Sequence, residues 1–381
     1  MRILFTSTRG AGHFIPLVPL LDACVRIGHE ALVAGPSALS PAVDARGYRF
    51  WECADAAEAD IWPVWARVAQ VSPEEANELV VRELFAGFEA RAILPRLREA
   101  FAVWEPDLVL RDPNEYGSVV AAELHGVRHA RVGISLGAVE EVAVALAAGR
   151  VDALRSEVGL PPDPAGERIR QSPYLTSFPH SLEHPTEPAP PDVVRFRAAV
   201  ARAARPLPDW WSGRGGPLVY VTFGTVAAGL PSAAAVFPMA LEALADVPAR
   251  VLLTVGRDGD PATLGSVPPN VHVEQWVSHA DVVAVADLVV CHGGSGTVLG
   301  TLAAGLPQVV VPLFADQPYN AQRVEAVGAG FVVEPRAEAI HAAVLRILED
   351  NSFRLSARLM AAEIRLLPSA DRVLADLLAP P

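Results

Sequence analysis

Glycine and proline interrupt the apolar runs of this 381-residue chain at points where reactive side chains also gather. The first such point is Ser7-Thr8-Arg9-Gly10-Ala11-Gly12-His13-Phe14-Ile15-Pro16, directly after Ile3-Leu4-Phe5. Gly10 and Gly12 permit close backbone approach or a positive φ. His13 carries an imidazole, which unperturbed titrates near ~6.5 and is suited to general-base work, so it is the candidate base. A structural histidine beside a helix start has the same sequence signature. Such a base needs a carboxylate to hold its tautomer and stabilise the imidazolium. The segment Arg111-Asp112-Pro113-Asn114-Glu115, after Leu108–Leu110, offers Asp112 as that partner, with Glu115 as the alternative. Asp112 is equally suited to capping a helix that begins near Tyr116.

The second half has a different chemistry. In Cys291-His292-Gly293-Gly294-Ser295-Gly296-Thr297, glycines and hydroxyl residues stand between an aliphatic run and a helical pattern. Backbone N–H groups at a helix N-terminus cradle an anion such as phosphate, so His292, Gly294, Ser295, Gly296 and Thr297 are candidate phosphate binders. No lysine follows the glycines, which excludes a Walker loop. Thr222-Phe223-Gly224-Thr225 is a second small-residue exit that brings Thr225 toward the same anion. Asp316 and Gln317 pair a carboxylate with a carboxamide, suited either to sugar hydroxyls or to capping the helix after Pro318. Trp276, followed by Val277, offers a flat platform for a base or an ordinary core side chain.

These residues need elements that bring them together. Arg2–Thr6, Ala31–Ala34 and Leu108–Leu110 read as strands, and Phe14–Ile27, Glu83–Trp104 and Tyr116–His125 as helices. The strands are continuously apolar instead of alternating, as in parallel sheets covered on both faces. The segment Asp55–Glu83 is hard to read. From about Phe178 to Pro208 prolines crowd the chain and predict a linker. The pattern then restarts, with strands Leu218–Thr222, Val251–Val255, Val271–Glu274, Leu288–Cys291, Gln308–Val311 and Phe331–Val333. Helices are predicted over Ala233–Leu244, Thr297–Ala304 and Tyr319–Val327, followed by C-terminal helices. The fold class is α/β with two halves, and ligands are expected outside the carboxyl ends of the strands.

Composition narrows the classes. At 381 residues the chain exceeds the ~250–300 at which a single core stops growing. With 31 Lys+Arg against 44 Asp+Glu the net charge is −13, which opposes attraction to nucleic acid or an anionic membrane. Three distant cysteines with no CxxC pair suggest neither a disulfide framework nor zinc. The start lacks the apolar stretch of a signal peptide, so a cytoplasmic location is expected. Between Asp287 and Asp316 no charged residue occurs, but Gly293-Gly294-Ser295-Gly296 and Leu306-Pro307 break the run into strand, loop, helix, loop and strand instead of a membrane helix. No His/Asp/Glu grouping has metal-ligand spacing.

Taken together, these segments resemble the UDP-glucuronosyl/glucosyltransferase-like family of GT-B glycosyltransferases, in its bacterial natural-product branch. The resemblance covers nearly the whole chain. It is most specific over Cys291–Gly330, through His292–Thr297, Ala304-Gly305-Leu306-Pro307, Val311-Pro312 and Asp316-Gln317-Pro318-Tyr319-Asn320-Ala321. Gly10–Leu17 with Gly28-His29-Glu30 resembles the family's N-terminal motif. Gly126-Val127-Arg128-His129 departs from the more usual Gly-Val-Pro. The resemblance implies two facing Rossmann-like domains with parallel sheets: an acceptor-binding domain over 1–205, a nucleotide-sugar domain over 206–365, and a final helix over 366–381 crossing back.

It also implies an inverting transfer that needs no metal and no cofactor beyond the donor. His13 would deprotonate an acceptor hydroxyl and Asp112 balance the charge. His292, Thr297 and the Gly294–Gly296 backbone would hold the pyrophosphate, with Thr225 opposite. Trp276 and the Val277 backbone would take the base, and Asp316 with Gln317 the sugar. Expected partners are a thymidine diphosphate deoxysugar or aminosugar, or a uridine diphosphate sugar, and a hydrophobic small-molecule acceptor, bound by a monomer or homodimer. Trp62, Trp65, Phe85 and Phe88 are candidates for the acceptor wall or for core. Two other readings compete: a GT-B sugar-nucleotide epimerase, and a catalytically silent activator of another transferase.

Overall fold

The computed structural model describes residues 1–198, 205–210, 215–225, 227, 231–257 and 259–379. The chain divides into two compact units. The first comprises Met1–Ser177, Pro185–Ala199 and Leu367–Pro381, and the second Phe178–His184 and Val200–Leu366.

The first unit is built on β1 (Arg2–Thr6), β2 (Glu30–Pro36), β3 (Arg49–Cys53), β4 (Leu108–Arg111), β5 (Arg128–Val132), β6 (Tyr174–Thr176) and β7 (Val193–Arg195). All pair in parallel, in the order β3-β2-β1-β4-β5-β6-β7. Side chains alternate across β1. Ile3 and Phe5 enter the core formed with Phe14, Leu17, Leu20 and Leu21, while Leu4 enters the opposite one with Leu94, Leu97 and Phe101. Both faces are thus buried, which is why the strands read as unbroken apolar runs.

The second unit contains β8 (Leu218–Thr222), β9 (Arg250–Thr254), β10 (Val271–Glu274), β11 (Leu288–Cys291), β12 (Gln308–Val310) and β13 (Gly330–Val332). Their order, β10-β9-β8-β11-β12-β13, is again wholly parallel. Renumbered within the unit this is 3-2-1-4-5-6, the doubly wound order in which the connection reverses direction beside the first strand. In the first unit the same reversal falls between β1 and β4, and in the second between β8 and β11.

The last helix, Ala370–Leu378, belongs to the first unit. Ala370, Val373 and Leu374 complete the core around β1, and Arg26 binds Asp371 at 2.8 Å. Arg197 N donates to Pro368 O at 2.7 Å, anchoring the chain that leads into it.

Several elements differ from the sequence reading. The proline-rich stretch is not a plain linker. Val193–Arg195 lies between its prolines and pairs as β7, and Phe196 is buried in the core. Residues 199–204 of that stretch lie outside the described residues. The unread Asp55–Glu83 segment is helical: Glu58–Val68, then Pro73–Leu79 opened by a Ser72/Glu75 capping box, running into a wider-wound turn over Val80–Glu89. Trp62 and Trp65 stay at the surface, 67% and 44% exposed, so neither is core. No helix among the described residues is long and apolar enough to cross a membrane.

Because Leu374 is completely buried in the core beside β1, Leu374→Ala is expected to cost about 2–5 kcal/mol. The loss should appear in denaturant unfolding and as reduced hydrogen-exchange protection of β1. Unchanged protection there would mean that the last helix does not support the first unit.

Candidate active site

In the first unit the reversal point carries an acid–base pair. β1 runs through Thr6 into the glycine loop, where Gly10 adopts φ 108° and opens the short helix Ala11–Phe14. The adjacent β4 ends at Arg111, so Asp112 begins its exit loop. The two loops meet: His13 Nδ1 lies 2.9 Å from Asp112 Oδ2. Asp112 is fully buried and the His13 side chain one-fifth exposed. The Thr8 backbone N–H and hydroxyl donate to Asp112 Oδ2 at 3.2 and 2.8 Å, and Asn114 N–H donates to Oδ1 at 3.1 Å.

These bonds fix the carboxylate. Burial opposes its charge, but His13 and the donated hydrogen bonds hold its pKa below the usual aspartate value. Burial likewise opposes a charged His13, yet the charge and hydrogen bond of Asp112, helped by Glu89 and Glu140, raise its pKa above 6.5. Phe85 packs edge-on to the imidazole with ring centres 5.3 Å apart.

The choice between Asp112 and Glu115 is settled by geometry. Glu115 turns to the next helix, Gly117–His125, where both carboxylate oxygens accept from Ser118 N–H at 3.1 and 3.2 Å. Capping thus falls to Glu115, leaving Asp112 for the histidine. The loop is held from below by Arg111, a buried guanidinium whose Nη1 donates to the carbonyls of Asp112, Pro113 and Glu115 at 3.1, 2.8 and 3.2 Å. A pocket beside the pair is lined by Thr8, Pro36, Phe85, Glu89, Ile93 and Tyr116. Phe85 lines this pocket and also packs against the core, whereas Trp62 and Trp65 do not line it.

In the second unit the exits of β8 and β11 lie side by side, since Thr222 and Cys291 are register partners. His292 sits where both backbones approach it. Gly224 holds φ 80°, and a Cβ on Gly224 or Gly294 would come within 2.8 or 2.4 Å of His292 Nε2, so a side chain at either position would displace the imidazole. Burial lowers the His292 pKa to about 4, with the Thr222 backbone partly offsetting it. The ring is therefore a neutral hydrogen-bonding group near pH 7, and its Nδ1 is buried without a partner.

Helix Ser295–Ala303 starts here, with Gly294 as its N-cap and no side chain capping it. Gly296 is exposed, and a Cβ there would meet nothing within 4 Å. Thr297 is partly buried, its N–H already donated to Gly294 O at 3.0 Å. Thr225 is exposed at the β8 exit, against Gly256 of the neighbouring β9 exit.

Trp276 is 46% exposed at the end of β10, which excludes a core role, and Val277 after it is partly buried. Arg257, absent from the sequence reading, lies over the indole with its guanidinium carbon 3.9 Å from the ring centre. The only sequence signal for it was Gly256, whose φ of 91° turns the β9 exit. Asp316 accepts from Ser295 Oγ at 2.8 Å, joining the two loops. Gln317 is buried, with Oε1 accepting from Leu313 and Phe314 N–H at 2.8 and 3.1 Å, so its carbonyl shapes the loop. Among the described residues no group of three or more His, Cys, Asp or Glu side chains is placed to hold a metal ion.

Two parallel-sheet units thus each carry polar residues at the strand exits beside the reversal point. The chain is 32% identical over 392 aligned residues to elloramycin glycosyltransferase ElmGT of Streptomyces olivaceus, covering 99% of this chain and 97% of that one. The chain belongs to the bacterial natural-product branch of the GT-B glycosyltransferases. Residues 238–379 match the model for the erythromycin biosynthesis protein CIII-like C-terminal domain. L-demethylnoviosyl transferase of Streptomyces niveus is 30% identical, over 95% of this chain and 94% of its own. The crystal structure of the glycosyltransferase SnogD from Streptomyces nogalater superimposes with a TM-score of 0.80 at 26% identity, covering 99% and 98% of the two chains. The protein is thus a glycosyltransferase of antibiotic or natural-product biosynthesis.

The His13–Asp112 pair gives a spectroscopic prediction. In this glycosyltransferase the His13 imidazole should titrate above pH 6.5 by NMR, and in Asp112→Asn its midpoint should fall, because burial then acts without the compensating charge. An unmoved midpoint would show that the carboxylate does not control the histidine.

Proposed function

We propose that this glycosyltransferase moves a sugar from a nucleoside diphosphate sugar, most simply of the thymidine series, to a hydroxyl of a hydrophobic aglycone, with inversion and without a metal ion. The observation that carries this reading is the buried 2.9 Å bond between His13 and Asp112 at the exits of β1 and β4. With Nδ1 committed to Asp112, Nε2 is the nitrogen left to accept the acceptor's proton, and the carboxylate stabilises the imidazolium that forms. The acceptor oxygen then attacks the anomeric carbon as the bond to the diphosphate breaks, giving one inverted glycosidic bond and one nucleoside diphosphate.

The leaving diphosphate gains charge, and its stabilisation is assigned to the second unit. The uncapped N-terminus of helix Ser295–Ala303 supplies backbone N–H groups and the positive end of the helix dipole. His292 and the Thr297 side chain complete the set, with Thr225 approaching from the β8 exit. These donors take the part that a divalent cation plays elsewhere, which is the argument for metal independence. Trp276 and the Val277 backbone receive the base, and Asp316 with Gln317 the sugar. A deoxysugar or aminosugar donor accords with the demethylnoviosyl group for which one relative is named.

His13→Ala should lower kcat by ~10²–10⁴ while leaving donor affinity nearly unchanged, as measured by steady-state transfer and calorimetry. In the wild type kcat/KM should rise with pH through the raised His13 pKa, since only the neutral imidazole accepts a proton. A His13→Ala enzyme with unaltered turnover would remove His13 from the mechanism. Transfer abolished by EDTA and restored by Mg²⁺ would overturn the metal-free reading. A donor epimerised without acceptor would favour the epimerase alternative.

A further inference from the structure

Asn320 lies in the first turn of helix Gln317–Ala326, fully buried, and has no part in the site as assigned above. Its side-chain nitrogen nevertheless touches both halves of that site. Nδ2 donates to Gly293 O at 3.0 Å, to Ser295 Oγ at 3.1 Å and to Asp316 Oδ2 at 3.0 Å. Ser295 Oγ itself donates to Asp316 Oδ2 at 2.8 Å. A carboxamide nitrogen has two protons, so these three acceptors crowd around a single group. The result is a closed polar triangle between the phosphate loop and the loop that carries the sugar-assigned carboxylate.

Two features show that this is not ordinary helix capping. Asp316 occupies the N-cap of its helix, yet its side chain makes no cap hydrogen bond and turns to Ser295 and Asn320 instead. Asn320 Oδ1 is also buried without a partner, an unsatisfied acceptor that costs stability. The amide is thus held by its nitrogen side alone, and that side faces the site. Ser295, for its part, has committed its hydroxyl proton to Asp316, so what it offers a diphosphate is its backbone N–H.

We propose that Asn320 is a positioning residue that locks the Asp316 carboxylate to the phosphate loop, so that the donor sugar is recognised in register with the diphosphate. The proposal rests on the assignment of Asp316 to the donor sugar. Without Asn320 the loop loses its bond at Gly293 O, and Asp316 loses one of the two donors on Oδ2. Bare nucleoside diphosphate would then bind as before, while the gain in affinity from the attached hexose would fall.

The test compares the affinities of thymidine diphosphate and thymidine diphosphate glucose by calorimetry, with the uridine pair run in parallel. The variants are Asn320→Ala, Ser295→Ala, Asp316→Ala and the Asn320/Ser295 double variant. Hydrogen bonds to a charged group have the size that makes a drop of roughly tenfold or more in the sugar-dependent affinity ratio the expected result for Asn320→Ala. Bare diphosphate affinity should stay within about twofold, the double variant should lose less than the product of the single losses, and Asn320→Ser should recover part of the ratio. Ser295→Ala, which lies in the loop assigned to the diphosphate, is read only through the sugar-dependent ratio, and Asn320→Ser takes the place of Asn320→Ala should that variant fail to fold. Equal losses for both ligands would make Asn320 a scaffold residue and overturn the proposal. If Asp316→Ala collapses the ratio while Asn320→Ala and Ser295→Ala do not, the sugar assignment stands and the positioning role falls. If Asp316→Ala leaves the ratio unchanged, the sugar assignment is wrong and the proposal falls with it.

Discussion

The hydrogen bond between His13 and Asp112 exists because β1 and β4, about a hundred residues apart in the chain, are neighbours in one parallel sheet. Parallel strands send their carboxyl ends to the same edge, and at the point where the connection reverses direction no helix covers that edge. A histidine in the short helix that follows the β1 exit loop and an aspartate one residue beyond β4 are then brought within bonding distance. The loops must also be held, since a buried carboxylate costs free energy unless it is hydrogen-bonded. Thr8 and Asn114 supply those bonds, and Arg111 binds the carbonyls beneath them.

The second unit applies the same topology to a different end. Here the exits of β8 and β11 present backbone instead of an acid–base pair, and a side chain at Gly224 or Gly294 would press on the His292 ring. The imidazole is desolvated and so kept neutral, unlike His13, which has a carboxylate to raise its pKa. Two histidines at strand exits, one beyond β1 and one beyond β11, are therefore pushed to opposite sides of the free imidazole value for one reason: the presence or absence of a buried anion in contact.

Charged residues inside the first sheet follow from this arrangement. Arg111 and Arg131 are register partners on β4 and β5, and both are fully buried. Arg131 is balanced by Glu141 at 3.2 Å, whereas Arg111 is met mainly by backbone carbonyls and the Tyr116 ring. Burial and the neighbouring Arg131 pull the Arg111 pKa down to about 10, still far above neutrality. Its charge helps hold the Asp112–Glu115 loop in place.

Much of this was legible in the amino-acid order, because apolar runs, glycine breaks and strand exits are local signals. The parallel α/β class, the two halves, the glycine-rich exit loop over His292–Thr297 and the candidates His13 and Asp112 all follow from such signals. What lay beyond the sequence was set by contacts between distant segments. Val193–Arg195 became a strand inside a proline-rich stretch because β6 offered it an edge to pair with. Arg257 over Trp276 left almost no trace, since β9 and β10 are brought side by side only in the folded sheet. The division of labour between Asp112 and Glu115 had the same origin: both carboxylates suit either task by type, and only the packing of β1 against β4 set one beside the histidine and left the other to the helix. Sequence determined which residues stand at the strand ends; tertiary structure decided which of them meet, because strand order is a property of the whole sheet and not of any segment in it.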